Sequence, residues 1–176
     1  GFNVSFGKNV DEIDVFDSSS IESRVKDLND AFEDKSVQLI LAALGGFNSN
    51  QLLKYIDYDL IKSNPKLICG GSDITALTNA IHAKTDLLTY SGPVFFAFAN
   101  QRDFDYTLYH FIKSICSEDS FIVNPSLMWS DDFLSNDDNK KEHIDNEGFW
   151  IINEGESEGK IIGGNQCTLN LLHGTE

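Results

Sequence analysis

Apolar and polar positions in the first part of the chain alternate between a helical period and short continuous runs. Residues 20–34 have apolar side chains at helical spacing, which predicts an amphipathic helix. These side chains are Ile21, Val25, Leu28 and Phe32. Ser19 and Glu22 have the spacing of a capping box and mark the start of this helix. The apolar run over residues 37–43 then predicts a strand buried on both faces, as in a parallel sheet.

The same alternation continues to about residue 90. Gly45, Gly46 and Asn48 open a predicted helix that continues to residue 56. Two more short buried strands are predicted over residues 67–69 and 87–90, with a helix between them. Strands and helices that alternate at this length predict an α/β fold with a mostly parallel sheet.

The pattern changes after about residue 92. Residues 104–115 predict one more helix, and residues 121–123 predict a short strand. The stretch 130–147 is rich in Asp and Asn and predicts an irregular surface segment. The apolar runs 149–152 and 160–162 flank a turn of Gly, Glu and Ser, so they predict a β-hairpin.

The predicted organisation has two parts. Residues 1–115 form an N-terminal α/β domain, and residues 116–176 form a linker and the beginning of a mostly β C-terminal domain. Residues 1–4 have the character of the middle of a strand, and apolar positions continue through 169–172 close to the last residue. Both ends of the sequence are therefore expected to be cut.

Charge and composition narrow the classes of partner. The chain has 13 Lys and Arg against 28 Asp and Glu, a formal net charge of -15, which disfavours nucleic acids and anionic membranes as partners. No apolar run reaches the roughly 18 to 20 residues that cross a bilayer. Because no basic and apolar leader opens the sequence either, we expect a cytoplasmic protein.

The cysteine and histidine positions argue against a metal or cofactor. Cys69, Cys116 and Cys167 are widely spaced and odd in number, which fits neither a disulfide framework nor a zinc site. We expect them to be reduced core residues. No pair of histidines has metal-ligand spacing, so no metal and no cofactor are predicted.

Ser72 is the sharpest candidate for chemistry. It follows Gly70 and Gly71, precedes Asp73, and stands directly between a predicted strand and a predicted helix. A tight turn at such a point lifts a hydroxyl out of the sheet and leaves the next amides free to bind an oxyanion. The alternative interpretation is an ordinary Ser-Asp helix cap after a glycine-rich loop.

Gly45 and Gly46 are the second candidate, because loops at the carboxyl ends of neighbouring parallel strands converge on one crevice. Their loop is therefore expected to face the turn at Ser72. The alternative is a helix entry loop in which Asn48 and Gln51 form the capping pair, and both interpretations can hold together.

A serine nucleophile needs a base within hydrogen-bond reach. His82 lies about three turns further along the same predicted helix, where it cannot reach the hydroxyl, and the other histidines are interpreted as surface or packing residues. Trp129 stands in a polar neighbourhood. It either stacks on a flat ring of a ligand or anchors a long loop.

Several motifs, in order and spacing, resemble the LD-carboxypeptidases of peptidase family S66 and, within them, the subgroup of microcin C immunity peptidases. They are Gly-Gly-Phe-Asn at 45–48, Gly-Gly-Ser-Asp at 70–73, Lys-Thr at 84–85, Tyr-Ser-Gly-Pro at 90–93, Pro-Ser at 125–126, Trp-Ser-Asp-Asp at 129–132, Asn-Glu-Gly at 153–155 and Ile-Ile-Gly-Gly-Asn at 161–165.

The resemblance implies a flavodoxin-like parallel sheet and a serine carboxypeptidase with a Ser-His-Glu triad. Ser72 is then the nucleophile, and the amides of Asp73 and of Gly45 or Gly46 bind the oxyanion. Family members cleave an amide next to a free carboxylate, in murein peptides or in peptidyl and aminoacyl nucleotides. By similarity to the subgroup, Trp129 stacks on the adenine and Asn165 lies near the site.

One departure from the family pattern is important. The family's Glu and His follow the Gly-Gly-Asn stretch in the second domain, and neither is matched in this sequence. The isolated chain is therefore expected to show little or no turnover. The competing hypothesis is a non-catalytic ligand-binding module or an inactive truncated paralogue. The apolar faces at 37–43 and 151–162 would be exposed in a truncated chain, so pairing with a second copy as a homodimer is a further expectation.

Overall fold

Three parallel strands organise the first half of the chain in the computed structural model, which describes residues 1–99, 104–130 and 142–175. They are β1 (Leu39–Leu41), β2 (Leu67–Gly70) and β3 (Tyr90–Ser91). Strand β2 is central and pairs in parallel with both neighbours. The predicted α/β class with a parallel sheet is confirmed.

Three helices accompany this sheet: α1 (Ile21–Glu33), α2 (Tyr58–Ser63) and α3 (Thr75–Thr85). Their apolar side chains form a core with those of β2 and of a 3₁₀ helix over Ser49–Leu52. The buried members are Phe32, Leu52, Ile56, Ile61, Ile68, Ile74, Leu77 and Ile81. Continuous apolar strands and helices with one apolar face are what a shared core of this kind requires.

The helix starts differ in detail from the prediction. Ser20, rather than Ser19, caps α1, and its hydroxyl accepts a hydrogen bond from the Ser23 amide at 3.0 Å. With Ser20 as the N-cap, Ser23 occupies position N3, where the predicted capping box placed Glu22. Helix α2, which the sequence analysis missed, is capped by the Asp57 side chain.

The capping pair predicted for residues 45–56 is also wrong. Asn48 makes no side-chain cap, and only the short 3₁₀ helix forms in place of the predicted helix. The Asn48 and Gln51 side-chain oxygens instead accept hydrogen bonds from the Arg24 guanidinium, each at 2.9 Å. A guanidinium from α1 offers these amides a charged donor, which is a stronger partner than a backbone amide.

The later elements are α4 (Asp105–Cys116), a two-stranded antiparallel sheet of β4 (Met128–Trp129) and β5 (Ile144–Asp145), and α5 (Gln166–Leu171). The helix predicted over 104–115 is confirmed. Strand β5 falls inside the stretch predicted to be irregular, so that prediction is wrong there. Residues 131–141 of the stretch lie outside the described residues.

The strands predicted at 1–4, 121–123, 149–152 and 160–162 are wrong, because none of these residues pairs with a strand in the part of the chain that the structure describes. Their side chains are largely exposed, and Ile161 is 99% exposed. A strand needs a hydrogen-bonding neighbour as well as an apolar pattern. Apolar periodicity alone therefore over-predicts strands here.

The chain divides into two compact units, Gly1–Ala97 with Ile162–Glu176, and Phe98–Ile161. The domain boundary expected at residue 115 stays a prediction. Of the cysteines, Cys69 is buried as expected, whereas Cys116 and Cys167 are exposed, so their assignment to the core is wrong. Among the described helices, none has the length and apolar character to cross a membrane.

Candidate active site

Ser72 lies in the turn between β2 and α3, with its backbone in the left-handed region at φ +55°. A residue other than glycine rarely adopts this conformation, and such strain persists where the surrounding structure imposes it. The Ser72 side chain is exposed. Within residues 1–99, 104–130 and 142–175 its hydroxyl has no hydrogen-bond partner, so Ser72 is not a helix cap.

Backbone contacts hold this turn in place. The Gly92 amide, just after β3, donates a hydrogen bond to the Gly70 carbonyl at 3.0 Å, and the Ile74 amide donates to the Gly71 carbonyl at 3.1 Å. A Cβ atom at Gly71 would lie 2.9 Å from the Gly92 carbonyl oxygen. The absence of a side chain at Gly71 therefore lets the ends of β2 and β3 approach closely.

The loop of Gly45 faces Ser72, as predicted for loops at adjacent strand ends. A Cβ atom built at Gly45 would lie 2.9 Å from the Ser72 Cβ and 3.2 Å from its Oγ. The amides of Gly45 and Gly46 donate no hydrogen bond to any residue that the structure describes. The loop that faces the hydroxyl thus offers two backbone donors that have no acceptor among the described residues.

Asp73 connects this loop to the turn through its side chain. Its buried carboxylate accepts a hydrogen bond from the buried Ser49 amide at 2.7 Å. Ser49 begins the 3₁₀ helix that follows the Gly45 loop. From the sequence, Asp73 was predicted as an oxyanion donor through its amide or as part of a helix cap, and not as an acceptor for Ser49. The side-chain role was missed because Ser49 is 24 residues away and no local pattern links the two.

We expect Asp73→Ala to destabilise the chain by about 1–3 kcal/mol, because it leaves the buried Ser49 amide without an acceptor. Asp73→Asn keeps a side-chain oxygen at the same place and should lose clearly less. Urea unfolding of both variants measures the difference in the free energy of unfolding. Equal losses in the two variants would show that the hydrogen bond is not what stabilises this loop.

Asn165 reaches the same helix from a distant part of the sequence. Its backbone amide donates to the Thr75 Oγ1 at 2.9 Å, at the first residue of α3. Its side-chain Oδ1 accepts a hydrogen bond from the Thr168 amide at 3.0 Å and so caps α5. The structure therefore brings Asn165 to the helix that Ser72 precedes.

Trp129 belongs to the other compact unit, where it lies on β4 and pairs with Ile144. Trp129 is 44% exposed, so part of this large residue is accessible to a ligand. The neighbouring residues Asp131 and Asp132 of the family motif lie outside the described residues.

His82, His110 and Cys69 have other surroundings. The His82 Nδ1 lies 3.0 Å from the Leu87 carbonyl oxygen, and the His110 ring packs against Tyr106 and Phe121. Burial raises the pKa of the Cys69 thiol to about 11. That thiol stays protonated near neutral pH, so it does not compete with Ser72 as a nucleophile. Among the described residues, no group of three or more His, Cys, Asp or Glu could hold a metal ion.

The family model described as the LD-carboxypeptidase N-terminal domain of peptidase family S66 matches residues 1–92, slightly more than half of the 176 residues. The chain belongs to the LD-carboxypeptidase family. This membership accounts for the order of motifs on the parallel sheet. The turn at Ser72 and the loop at Gly45 both fall within the matched LD-carboxypeptidase region.

Relatives in the LD-carboxypeptidase family match the whole chain. YocD of Bacillus subtilis strain 168, an inferred carboxypeptidase, is 53% identical over 176 residues, which are 100% of this chain and 54% of YocD. The microcin C7 self-immunity protein MccF of Escherichia coli is 36% identical over 185 residues, with 100% of this chain and 53% of MccF covered.

Solved structures of the family agree with the fold. An MccF-like protein of Bacillus anthracis strain Ames superposes with a TM-score of 0.97 at 54% identity, over 99% of this chain and 53% of that protein. MccF in complex with aspartyl sulfamoyl adenosine gives a TM-score of 0.84 at 35% identity, over 96% of this chain and 52% of MccF. The chain thus spans about half the length of these relatives.

Proposed function

We propose that this chain carries the nucleophile and the oxyanion-binding amides of a serine carboxypeptidase. The observation that carries the proposal is the exposed Ser72 hydroxyl, which has no partner among the described residues and is held at φ +55° beside Gly45. A strained turn that presents an unpartnered hydroxyl next to free backbone donors is the arrangement a nucleophilic serine requires.

The amides of Asp73 and of Gly45 or Gly46 are the proposed oxyanion donors. The first amides of a helix lack intrahelical acceptors and lie at its positive end. Asp73 stands in the short 3₁₀ turn that leads directly into α3, and the Gly45 loop lies opposite. Charge that develops on the substrate carbonyl oxygen is therefore stabilised from two sides.

The proposed reaction is acyl transfer in two steps. The Ser72 Oγ attacks the amide carbon while its proton passes to a histidine base, and that proton then goes to the leaving nitrogen as the amide bond breaks. Water next cleaves the acyl ester and regenerates the hydroxyl. By family resemblance the His and Glu of the triad come from the second domain, so we propose that these 176 residues alone turn over little substrate.

The proposed substrate is an aminoacyl or peptidyl group joined to a nucleotide-like moiety. The solved complex of the relative MccF with aspartyl sulfamoyl adenosine supports this class, and the partly exposed Trp129 suits stacking on an adenine. By family resemblance, Asn165 is proposed to bind substrate as well. A murein peptide offers the same amide next to a carboxylate and is the competing substrate. We propose a cytoplasmic site of action.

The test uses a YocD chimera, defined as YocD in which this chain replaces the segment it matches. The chimera is incubated with aspartyl sulfamoyl adenosine and, separately, with a murein tetrapeptide, and the products are read by mass spectrometry. We expect release of aspartate from the first compound. Release of D-alanine from the tetrapeptide, without release of aspartate from aspartyl sulfamoyl adenosine, would overturn the proposed substrate class. Unmodified YocD is the reference, and no release from either compound by the chimera would favour a binding module.

A further inference from the structure

Residues 163–165 join α3 through hydrogen bonds that span most of the sequence. The Asn79 Nδ2 donates to the Gly163 carbonyl at 2.9 Å, across 84 residues. The Thr75 Oγ1 accepts a hydrogen bond from the Asn165 amide at 2.9 Å, across 90 residues. We call this set of contacts the α3 latch. It fixes both sides of Gly164 to the first two turns of one helix.

Gly164 permits the close approach that the latch needs. Its φ is +137°, and a Cβ atom there would lie 2.5 Å from the Thr75 Oγ1. That distance is well inside van der Waals contact, and side chains rarely tolerate that backbone conformation. The peptide between Gly163 and Asn165 therefore lies directly against the Thr75 side chain.

The two α3 residues are themselves held firmly. Thr75 is 1% exposed, and the Asn79 Nδ2 also donates to the Thr75 carbonyl at 2.9 Å. A buried hydroxyl and an amide with two acceptors have little freedom to move. The latch is thus a rigid support on α3, in contrast to the irregular and exposed residues 151–161 that lead into it.

The latch places Asn165 near the nucleophile. Thr75 follows Ser72 by three residues, so the two are separated by about one 3₁₀ turn, or roughly 6 Å along the axis. The Asn165 Oδ1 is engaged by the amide and the hydroxyl of Thr168. Its Nδ2 group, which donates to no described residue, remains available to a ligand carbonyl or carboxylate.

We infer that Thr75 and Asn79 are positioning residues, which hold Asn165 at the proper place and orientation to bind substrate beside Ser72. This inference rests on the proposed function. Neither residue touches the reacting atoms, because each acts through the segment that carries Asn165. Their loss should weaken substrate binding more than it slows the attack by Ser72.

The test compares Thr75→Val with Thr75→Ser in the YocD chimera. Valine has nearly the volume of threonine but cannot accept the Asn165 hydrogen bond, whereas serine can. The matched control is Thr78→Val, since Thr78 is also buried on α3 and its hydroxyl donates to the nearby Ile74 and Thr75 carbonyls and to no other described residue. Folding of each variant is checked by urea unfolding.

The first measurement is hydrogen–deuterium exchange of residues 162–168. We expect about tenfold faster exchange in Thr75→Val, the ratio that corresponds to the loss of one hydrogen bond, and wild-type exchange in Thr75→Ser and Thr78→Val. Unchanged exchange in Thr75→Val would overturn the latch.

The second measurement is the steady-state kinetics with aspartyl sulfamoyl adenosine. We expect KM to rise about tenfold in Thr75→Val with kcat changed far less, and the wild-type KM in Thr75→Ser. Covalent labelling of Ser72 by a fluorophosphonate should keep its rate, because that small probe does not need Asn165. Faster exchange with an unchanged KM would overturn the positioning role. A chimera with an intact latch but no turnover would instead overturn the proposed function, and the positioning role with it.

Discussion

Ser72→Ala in the YocD chimera is expected to lower kcat by about a million-fold, the loss seen when a serine nucleophile is removed from a comparable triad. The hydroxyl has no hydrogen-bond partner among the described residues, so its removal should leave the free energy of unfolding nearly unchanged. Alanine and serine tolerate the backbone at φ +55° about equally. Loss of activity without loss of stability would therefore identify the chemical role of this oxygen.

A fluorophosphonate reports on the same oxygen directly, because it forms a covalent bond to an activated serine. Intact mass should show one adduct on the chimera and none on Ser72→Ala. Ser91→Ala is the matched control, since Ser91 is an exposed serine at the carboxyl end of the adjacent strand β3. An adduct that persists in Ser72→Ala would show that another residue is the nucleophile.

Gly45→Ala is expected to lower kcat by about 100- to 1000-fold, which is the effect of losing one oxyanion donor. The added Cβ would lie 2.9 Å from the Ser72 Cβ, closer than such atoms approach in proteins. Either the Gly45 loop or the Ser72 side chain must then shift, and both shifts separate the donors from the developing oxyanion. The φ of Gly45 is not in the left-handed region, so the effect is steric.

The measurement is kcat and KM with aspartyl sulfamoyl adenosine, together with the rate of fluorophosphonate labelling. Gly155→Ala is the control, because a Cβ at Gly155 has no atom within 4 Å. A wild-type kcat in Gly45→Ala would mean that the Gly45 loop can move away from the turn at Ser72 without slowing the reaction. The Gly45 loop would then not belong to the proposed site.

The elements that were predicted correctly depend on local patterns. Helix α1 and strand β2 were each predicted from the apolar pattern of a few neighbouring residues. The strand-to-helix turn at Ser72 was predicted in the same way, since a strand, two glycines, a serine and a helix follow one another directly. Helix α2 was missed because its six residues are too few to show a clear period.

The contacts that complete the site are distant in sequence and left no local signal. The Asp73 carboxylate meets an amide 24 residues away, and the Thr75 hydroxyl meets one 90 residues away. The predicted strands near Ile151 and Ile161 failed for the related reason that a strand depends on a partner elsewhere. Local patterns thus predicted the strand-to-helix turn at Ser72, but not the contacts that hold its neighbours.

The left-handed backbone at Ser72 also bears on how this protein has been selected. Such a conformation costs about 1–3 kcal/mol, out of the roughly 5–15 kcal/mol that separate a typical domain from its unfolded state. Glycine would relieve this strain but would remove the hydroxyl. A protein that only binds a ligand would be more stable with glycine at this position. The proposed nucleophile, in contrast, requires the hydroxyl in spite of its cost in stability. A serine at this strained position is what the proposed nucleophilic role predicts.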